Sequence, residues 1–150
     1  MSSLARFMGL DFGDKTIGVS VSSPSGKVAI GITTLTRQDE AALRPNLKAL
    51  KTIIQEYGIT NIVLGYPKHL DGRESPRCKK TLVFKDKLNR YFKSIPVELW
   101  DERLSTRAVS RVFEGTRDQF YKHVDEMAAV YILQGFLDKR EHLRAQPLLK

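Results

Sequence analysis

Three β-rich runs near the start of the chain are joined by connections too short for anything but antiparallel pairing. Phe7 to Phe12, Thr16 to Ser22 and Val28 to Leu35 are separated by "GDK" and "SPSGK", both rich in turn formers. They predict a three-stranded meander. One residue conflicts with that setting. Asp11 stands among Phe7, Met8, Leu10 and Phe12, with Gly9, Gly13 and Gly18 around it and Lys15 close behind. A buried carboxylate is costly unless a cation or hydrogen-bond donors satisfy it.

The rest of the chain alternates helix and strand. Leu43, Leu47, Leu50, Ile54 and Tyr57 recur at helical steps, and Gly58 stands where a helix-ending glycine belongs. "ITNIVLG" reads as a short buried strand. "KHLDGRESPR" is polar, carries Asp71-Gly72 and Pro76, and predicts a mobile loop into a helix over about Pro76 to Phe92. Phe84, Leu88, Tyr91 and Phe92 mark the inner face of that helix. "VELW" predicts a fifth strand that leaves through "DERLST". A short helix then follows, capped by Ser105 or Thr106, with Ala108, Val109, Val112 and Phe113 inward and Gly115 at its end. Beyond a polar connection, "GTRDQFYKH", a long helix takes Val124, Met127, Ala128, Tyr131, Ile132 and Gly135 or Phe136 as its apolar stripe, with a frayed tail from Glu141. The order β-β-β-α-β-α-β-α-α makes an α/β protein, a mixed five-stranded sheet of three antiparallel strands followed by two parallel crossover strands, flanked by helices. The first strand lies centrally.

A chain of 150 residues suits one domain over 1–150, with its core over about 7–139 and a short tail. Apolar residues at 41% and charged residues at 28% exclude a disordered chain. The single Cys78 excludes an internal disulfide framework and suits a reducing compartment. No apolar stretch approaches the roughly 20 residues of a bilayer span, and the N-terminus does not resemble a signal peptide, so a cytoplasmic protein with no membrane partner is expected. Lys and Arg number 25 against 17 Asp and Glu, a net charge of +8 that favours a polyanionic partner or leaves an inert basic surface.

Asp11 ends the first strand, Asp101 and Glu102 end the fifth, and Asp125 with Glu126 opens the last helix. Ligand groups gather at the carboxyl ends of parallel strands, so Asp11 and Glu102 can face one another, with Asp125 closing the set. Three clustered carboxylates repel, and a divalent cation removes that repulsion. Oxygen ligands suit Mg2+ or Mn2+, and no clustered Cys/His set suits zinc. One such ion, or two roughly 3.5–4 Å apart, supports in-line displacement at phosphorus, for which a phosphodiester is the natural substrate. On this reading Gly9, Gly13 and Gly18 let a phosphate approach the backbone and Lys15 neutralises its charge.

Each feature also has a plainer account. The glycines serve hairpin geometry; Asp125 and Glu126 favour a helix N-terminus; Arg103 pairs with Glu102. His69, His123 and His142 read as solvated surface, Ser105 and Thr106 as caps, and Trp100 as core. The lysines and arginines between Lys79 and Lys93 make either a solvated helix face or a nucleic-acid contact.

Four motifs in order, "GLDFGDKTIGVSVS", "IVLGYPKHLDG", "WDERLSTRAV" and "VDEMAAVYILQGFLD", resemble the YqgF/RuvX family of Holliday junction resolvases and pre-16S rRNA nucleases, over about residues 7–139. The resemblance implies an RNase H-like fold and a metal-dependent endonuclease using Mg2+ or Mn2+. It implies Asp11, Glu102 and Asp125 as catalytic and metal-holding acids, and Lys15, Arg103 and Gly13 as substrate contacts, with Asp101 a further contributor and Glu126 beside the set. Its partner would be an rRNA precursor or branched DNA, bound by a monomer or homodimer. Tyr66 stands where the family pattern "GLP" carries leucine, and Ser23 where an aspartate commonly follows the second strand; both bear on substrate preference. Two other readings stay open: a nucleic-acid-binding ribosome-assembly or transcription factor without catalysis, and an actin-like ATP- or phosphate-binding protein, whose hairpin "GLDFGDKTIG" also resembles.

Overall fold

The computed structural model describes residues 4–37, 43–68, 71–101 and 117–145, with side chains of the last helix described over 127–144. Strands β1 (Phe7–Phe12), β2 (Thr16–Ser22) and β3 (Ala29–Thr36) form the expected meander, the third displaced by one residue from its expected span. Helix α1 (Arg44–Tyr57) leads to β4 (Asn61–Tyr66), α2 (Pro76–Tyr91) to β5 (Val97–Asp101), and α3 (Arg117–Ala145) completes the described elements. The sheet order is β3-β2-β1-β4-β5, so β1 is central, antiparallel to β2 and parallel to β4, which is itself parallel to β5.

Local chemistry sets the boundaries. Gly58 ends α1 at φ 65°, a left-handed position that costs glycine little, and its N–H caps the carbonyl of Ile54. Pro76 begins α2 where a helix has no use for a backbone donor, and extended Ser75 precedes it. The short helix expected after "DERLST", with its caps Ser105 and Thr106, lies outside the described residues.

Side chains alternate across the pleat and fill two layers. Met8, Leu10, Phe12, Ile62 and Leu64 face α1 and α2, packing against Leu50, Ile54, Phe84 and Leu88. Phe7, Val63 and partly buried Trp100 face α3, against Ile132, Leu133, Phe136 and Leu137. Cys78 is buried in α2, as an ordinary packed residue. No helix among the described residues is long and apolar enough to cross a membrane.

Three expectations are corrected. Tyr91 is 41% exposed rather than inward; Phe84, Leu88 and Phe92 hold the inner face with Cys78 and Thr81. The buried stripe of α3 runs Ala129, Ile132, Leu133, Phe136 and Leu137, one step round the helix from the expected face. Nearly every position from Met127 to Leu133 is apolar, so periodicity alone leaves the face undetermined; the side-chain-free space at Gly9 fixes it. Finally, α3 begins at Arg117 and runs to Ala145, so neither the connection before Asp125 nor the segment after Glu141 is non-helical there. Good helix formers fill both ends, without Gly or Pro to stop them.

Candidate active site

Asp11 is the fifth of six residues in β1, opposite Gly18 of β2. The pleat puts it on the face of Phe7 and Gly9, under α3. The residue is buried, with 7% of its surface exposed. Arg77, from the first turn of α2, reaches over the end of the strand. Its Nη2 donates to the carbonyl of Phe12 at 3.0 Å and lies 4.0 Å from Asp11 Oδ1. A cation at that distance offsets part of the cost of burying the carboxylate without reaching hydrogen-bond length. Sequence reasoning missed Arg77; the signal was a lone arginine directly after a helix-starting proline.

The neighbouring strands end together. Leu10 pairs with Leu64 and Tyr66 with Asp101, so β1, β4 and β5 deliver Asp11 and Asp101 to the same end of the sheet. Two strand spacings, roughly 10 Å, separate β1 from β5. Leu99 packs toward α1 and α2 and Trp100 toward α3, so alternation turns Asp101 to the side opposite Asp11. Glu102, bonded to Asp101, and Arg103 lie outside the described residues, as do His69 and the side chain of His123.

Helix α3 passes over Asp11's face in the sense opposite to β1. The rings of Phe7 and Phe136 lie 5.0 Å apart, while Gly9 faces Leu133 and the carbonyl of Ala129. Going up β1 therefore means going down α3. A Cβ on Gly9 would sit 2.5 Å from Ser20 Oγ and 2.7 Å from Leu133 Cβ, so the close approach that Gly9 permits is the helix's, not a phosphate's. Asp125 and Glu126 belong to α3 within a turn of Ala129; their side chains lie outside the described residues. Among the described residues no group of three or more His, Cys, Asp or Glu is placed to hold a metal ion.

The β1–β2 turn carries the remaining residues. The Gly13 N–H donates to the carbonyl of Thr16 at 2.8 Å, which commits it to the turn, and the Gly13 carbonyl accepts from Arg37 Nη1. Arg37 also donates to the Asp14 carbonyl at 3.1 Å, and Lys80 Nζ lies 3.2 Å from Asp14 Oδ1. The Lys80 ammonium, by hydrogen bond and charge, holds the Asp14 carboxyl below its usual range. Lys15 is exposed at the tip. Arg37, Arg77, Lys80 and Lys15 thus make the approach to Asp11 cationic. Trp100 packs edge-on to Phe136, as core, and His142 is exposed.

A mixed sheet in this order, helices on both faces and an acid buried near the end of the central strand define an RNase H-like protein. Thermus thermophilus RuvC, solved in complex with a Holliday junction substrate, has the same fold: TM-score 0.56 and 10% identity over 92% of this chain and 96% of that one. The yeast mitochondrial Holliday junction resolvase Ydc2 matches at TM-score 0.56 and 12% identity, over 96% of this chain and 82% of its own.

The family model of RuvX, described as Holliday junction resolvase, matches residues 5–139, and the chain belongs to that family. A protein of Agathobacter rectalis named "Putative pre-16S rRNA nuclease" is 43% identical over 143 residues, covering 93% of this chain and 99% of its own. One of Desulfitobacterium hafniense with the same name is 44% identical over 136 residues, 89% of this chain and 92% of its own.

Proposed function

We propose that this chain is a cytoplasmic endonuclease that hydrolyses phosphodiester bonds in structured nucleic acid, with an extended 16S rRNA precursor as its substrate. The observation that carries the reading is the buried carboxylate of Asp11 at the carboxyl end of the central strand, beneath the N-terminal half of the helix that contains Asp125. The RNA substrate follows from the name borne by relatives at 43% and 44% identity over nearly their whole lengths. Branched DNA is the second substrate, favoured by the family's description and by the fold of junction resolvases. The catalytic unit is one domain with its core over about 7–139.

Asp11, Glu102 and Asp125 would hold a divalent cation. Asp11 fits such an ion: it is a hard oxygen donor, buried, and set at 4.0 Å from a guanidinium rather than locked in a close ion pair. When bound, Mg2+ or Mn2+ supplies a lowered water pKa and charge stabilisation at phosphorus. The protein's own groups position the strand. Arg77 is anchored on the Phe12 carbonyl with donors left for a phosphate oxygen, and Lys15 and Arg103 supply further positive charge. The Gly13 turn keeps side-chain bulk away from the end of β1. Asp101, turned to the other face, supports β5 rather than joining the acids.

The test is cleavage of an extended 16S precursor RNA and of a four-way DNA junction in Mg2+, by the wild-type protein and by Asp11→Asn. Wild type should cut the RNA and the variant should bind it without cutting. Equal cutting by the two proteins, or binding by both with no cutting in Mg2+ or Mn2+, would sink the proposal and favour a non-catalytic assembly factor.

A further inference from the structure

Phe12, the residue after Asp11, points to the opposite side of the sheet. Its ring stacks on Phe84 at a centroid distance of 4.1 Å and 11° between planes, and the guanidinium carbon of Arg37 lies 4.3 Å from its centroid. Two groups that close cannot share one face, so Phe12 is sandwiched between ring and guanidinium. Beside this column opens a cavity of about 190 Å³. Phe12, Phe84, Leu43 and Val83 give it apolar walls; Arg37, Lys80 and Lys87 give it a cationic rim. No carboxylate lines it.

We propose that this cavity receives one unpaired nucleobase of the strand bound at Asp11, a reading that rests on the nuclease assignment and names the form of its substrate. A planar apolar ring flanked by phosphates matches what the cavity offers: aromatic and aliphatic contact inside and positive charge at the mouth. A free inorganic anion would leave the apolar walls unused, and an apolar peptide would leave three cations unanswered. The rim is also pre-set. Arg37 is bonded to the carbonyls of Gly13 and Asp14, and Lys80 to the Asp14 carboxylate. Val83, 57% exposed, is an apolar wall at the surface rather than a core residue. Because Asp11 and Phe12 are consecutive, the two faces of one strand end would serve neighbouring nucleotides. The strand must then be unstacked there, so the enzyme selects single-stranded or bulged segments over continuous duplex.

The test measures binding in metal-free buffer, where no cutting occurs. A short single-stranded RNA is compared with an abasic strand of the same length and charge, each titrated against wild type, Val83→Asn and Lys87→Gln, with cleavage in Mg2+ followed separately. Wild type should prefer the strand with bases by about tenfold, the worth of one stacked base, with the same salt slope for both strands. Val83→Asn should remove most of that preference and leave the abasic affinity intact, whereas Lys87→Gln should weaken both strands alike. Equal wild-type affinity for the two strands, or an undiminished preference in Val83→Asn, overturns the subsite. So does a change of sedimentation in Val83→Asn, which would make a second copy the occupant. A preserved, Val83-dependent preference without cleavage supports the subsite and overturns the nuclease reading alone.

Discussion

Ser20 Oγ donates a 2.8 Å hydrogen bond to the main-chain carbonyl of Ala129, tying β2 to α3 directly across Gly9. The bond joins residues 109 apart in sequence and is fully buried. It fixes the height of α3 over the central strands, and with it the level of the turn that carries Asp125.

Gly9→Ala should therefore disturb both stability and the site. The added Cβ would meet Ser20 Oγ at 2.5 Å, Leu133 Cβ at 2.7 Å and the Ala129 carbonyl at 3.1 Å, and the backbone oxygen cannot swing aside. We expect a loss of about 1–3 kcal/mol in chemical denaturation, with cleavage reduced further than the loss of folded protein explains. Gly135→Ala is the control. Its Cβ would meet the Trp100 ring at 3.1–3.4 Å, and the gain in helix propensity of about 0.5–1 kcal/mol offsets that crowding, so stability should change little.

Arg77→Ala should lower cleavage much more than stability. The side chain contributes one hydrogen bond to Phe12 and a 4.0 Å approach to Asp11 from a half-exposed position, worth about 1 kcal/mol to folding at most. Arg77→Lys should recover the charge but not the fork that spans carbonyl and phosphate, and so restore activity only in part. Cleavage rates and denaturation midpoints of the two variants decide it.

Asp14 should titrate below 3.8, and Lys80→Met should move it upward, because the Lys80 hydrogen bond and charge are the leading causes of its depression. A carboxyl with a lowered folded pKa adds stability above its unfolded value and loses it as pH falls through the folded one. The small acid-side stability difference between wild type and Lys80→Met should thus vanish well below pH 3.8. Carboxyl NMR titration reads the shift directly.

Tyr66 should stay protonated above the ordinary tyrosine value of 10.0, since its hydroxyl donates to Glu74 and burial adds to the effect. An acid raised in the folded state stabilises it fully below the unfolded pKa and ceases to as pH climbs through the folded one. Glu74→Gln should let Tyr66 ionise at lower pH, visible in the ultraviolet tyrosine titration, and weaken the link between the end of β4 and the loop before α2.

Much of this molecule was readable because strong local signals coincide with the fold. The short turns between β1, β2 and β3 forced a meander, Gly58 and Pro76 marked helix ends, and the order of elements implied a mixed sheet with β1 in the middle. The conflict at Asp11 was legible because a lone carboxylate in an apolar strand has few explanations. What was not legible depended on contacts between distant segments. Which stripe of α3 is buried was hidden by its nearly continuous apolar run, and was decided by Gly9 and Ser20. Arg77 looked like one more surface cation until α2 brought it over the end of β1. Asp101 and Glu102 are equivalent acids in the sequence; strand alternation separates Asp101 from Asp11's side.

The most direct measurement of the central claim, that Asp11, Glu102 and Asp125 serve one cation, is a Mn2+ titration followed by electron paramagnetic resonance on the wild type and on Asp11→Asn, Glu102→Gln and Asp125→Asn, each verified as folded by circular dichroism. Each substitution alone should weaken or abolish the same wild-type Mn2+ site. A site that survives unchanged in all three variants, or that responds to only one of them, would contradict the shared centre.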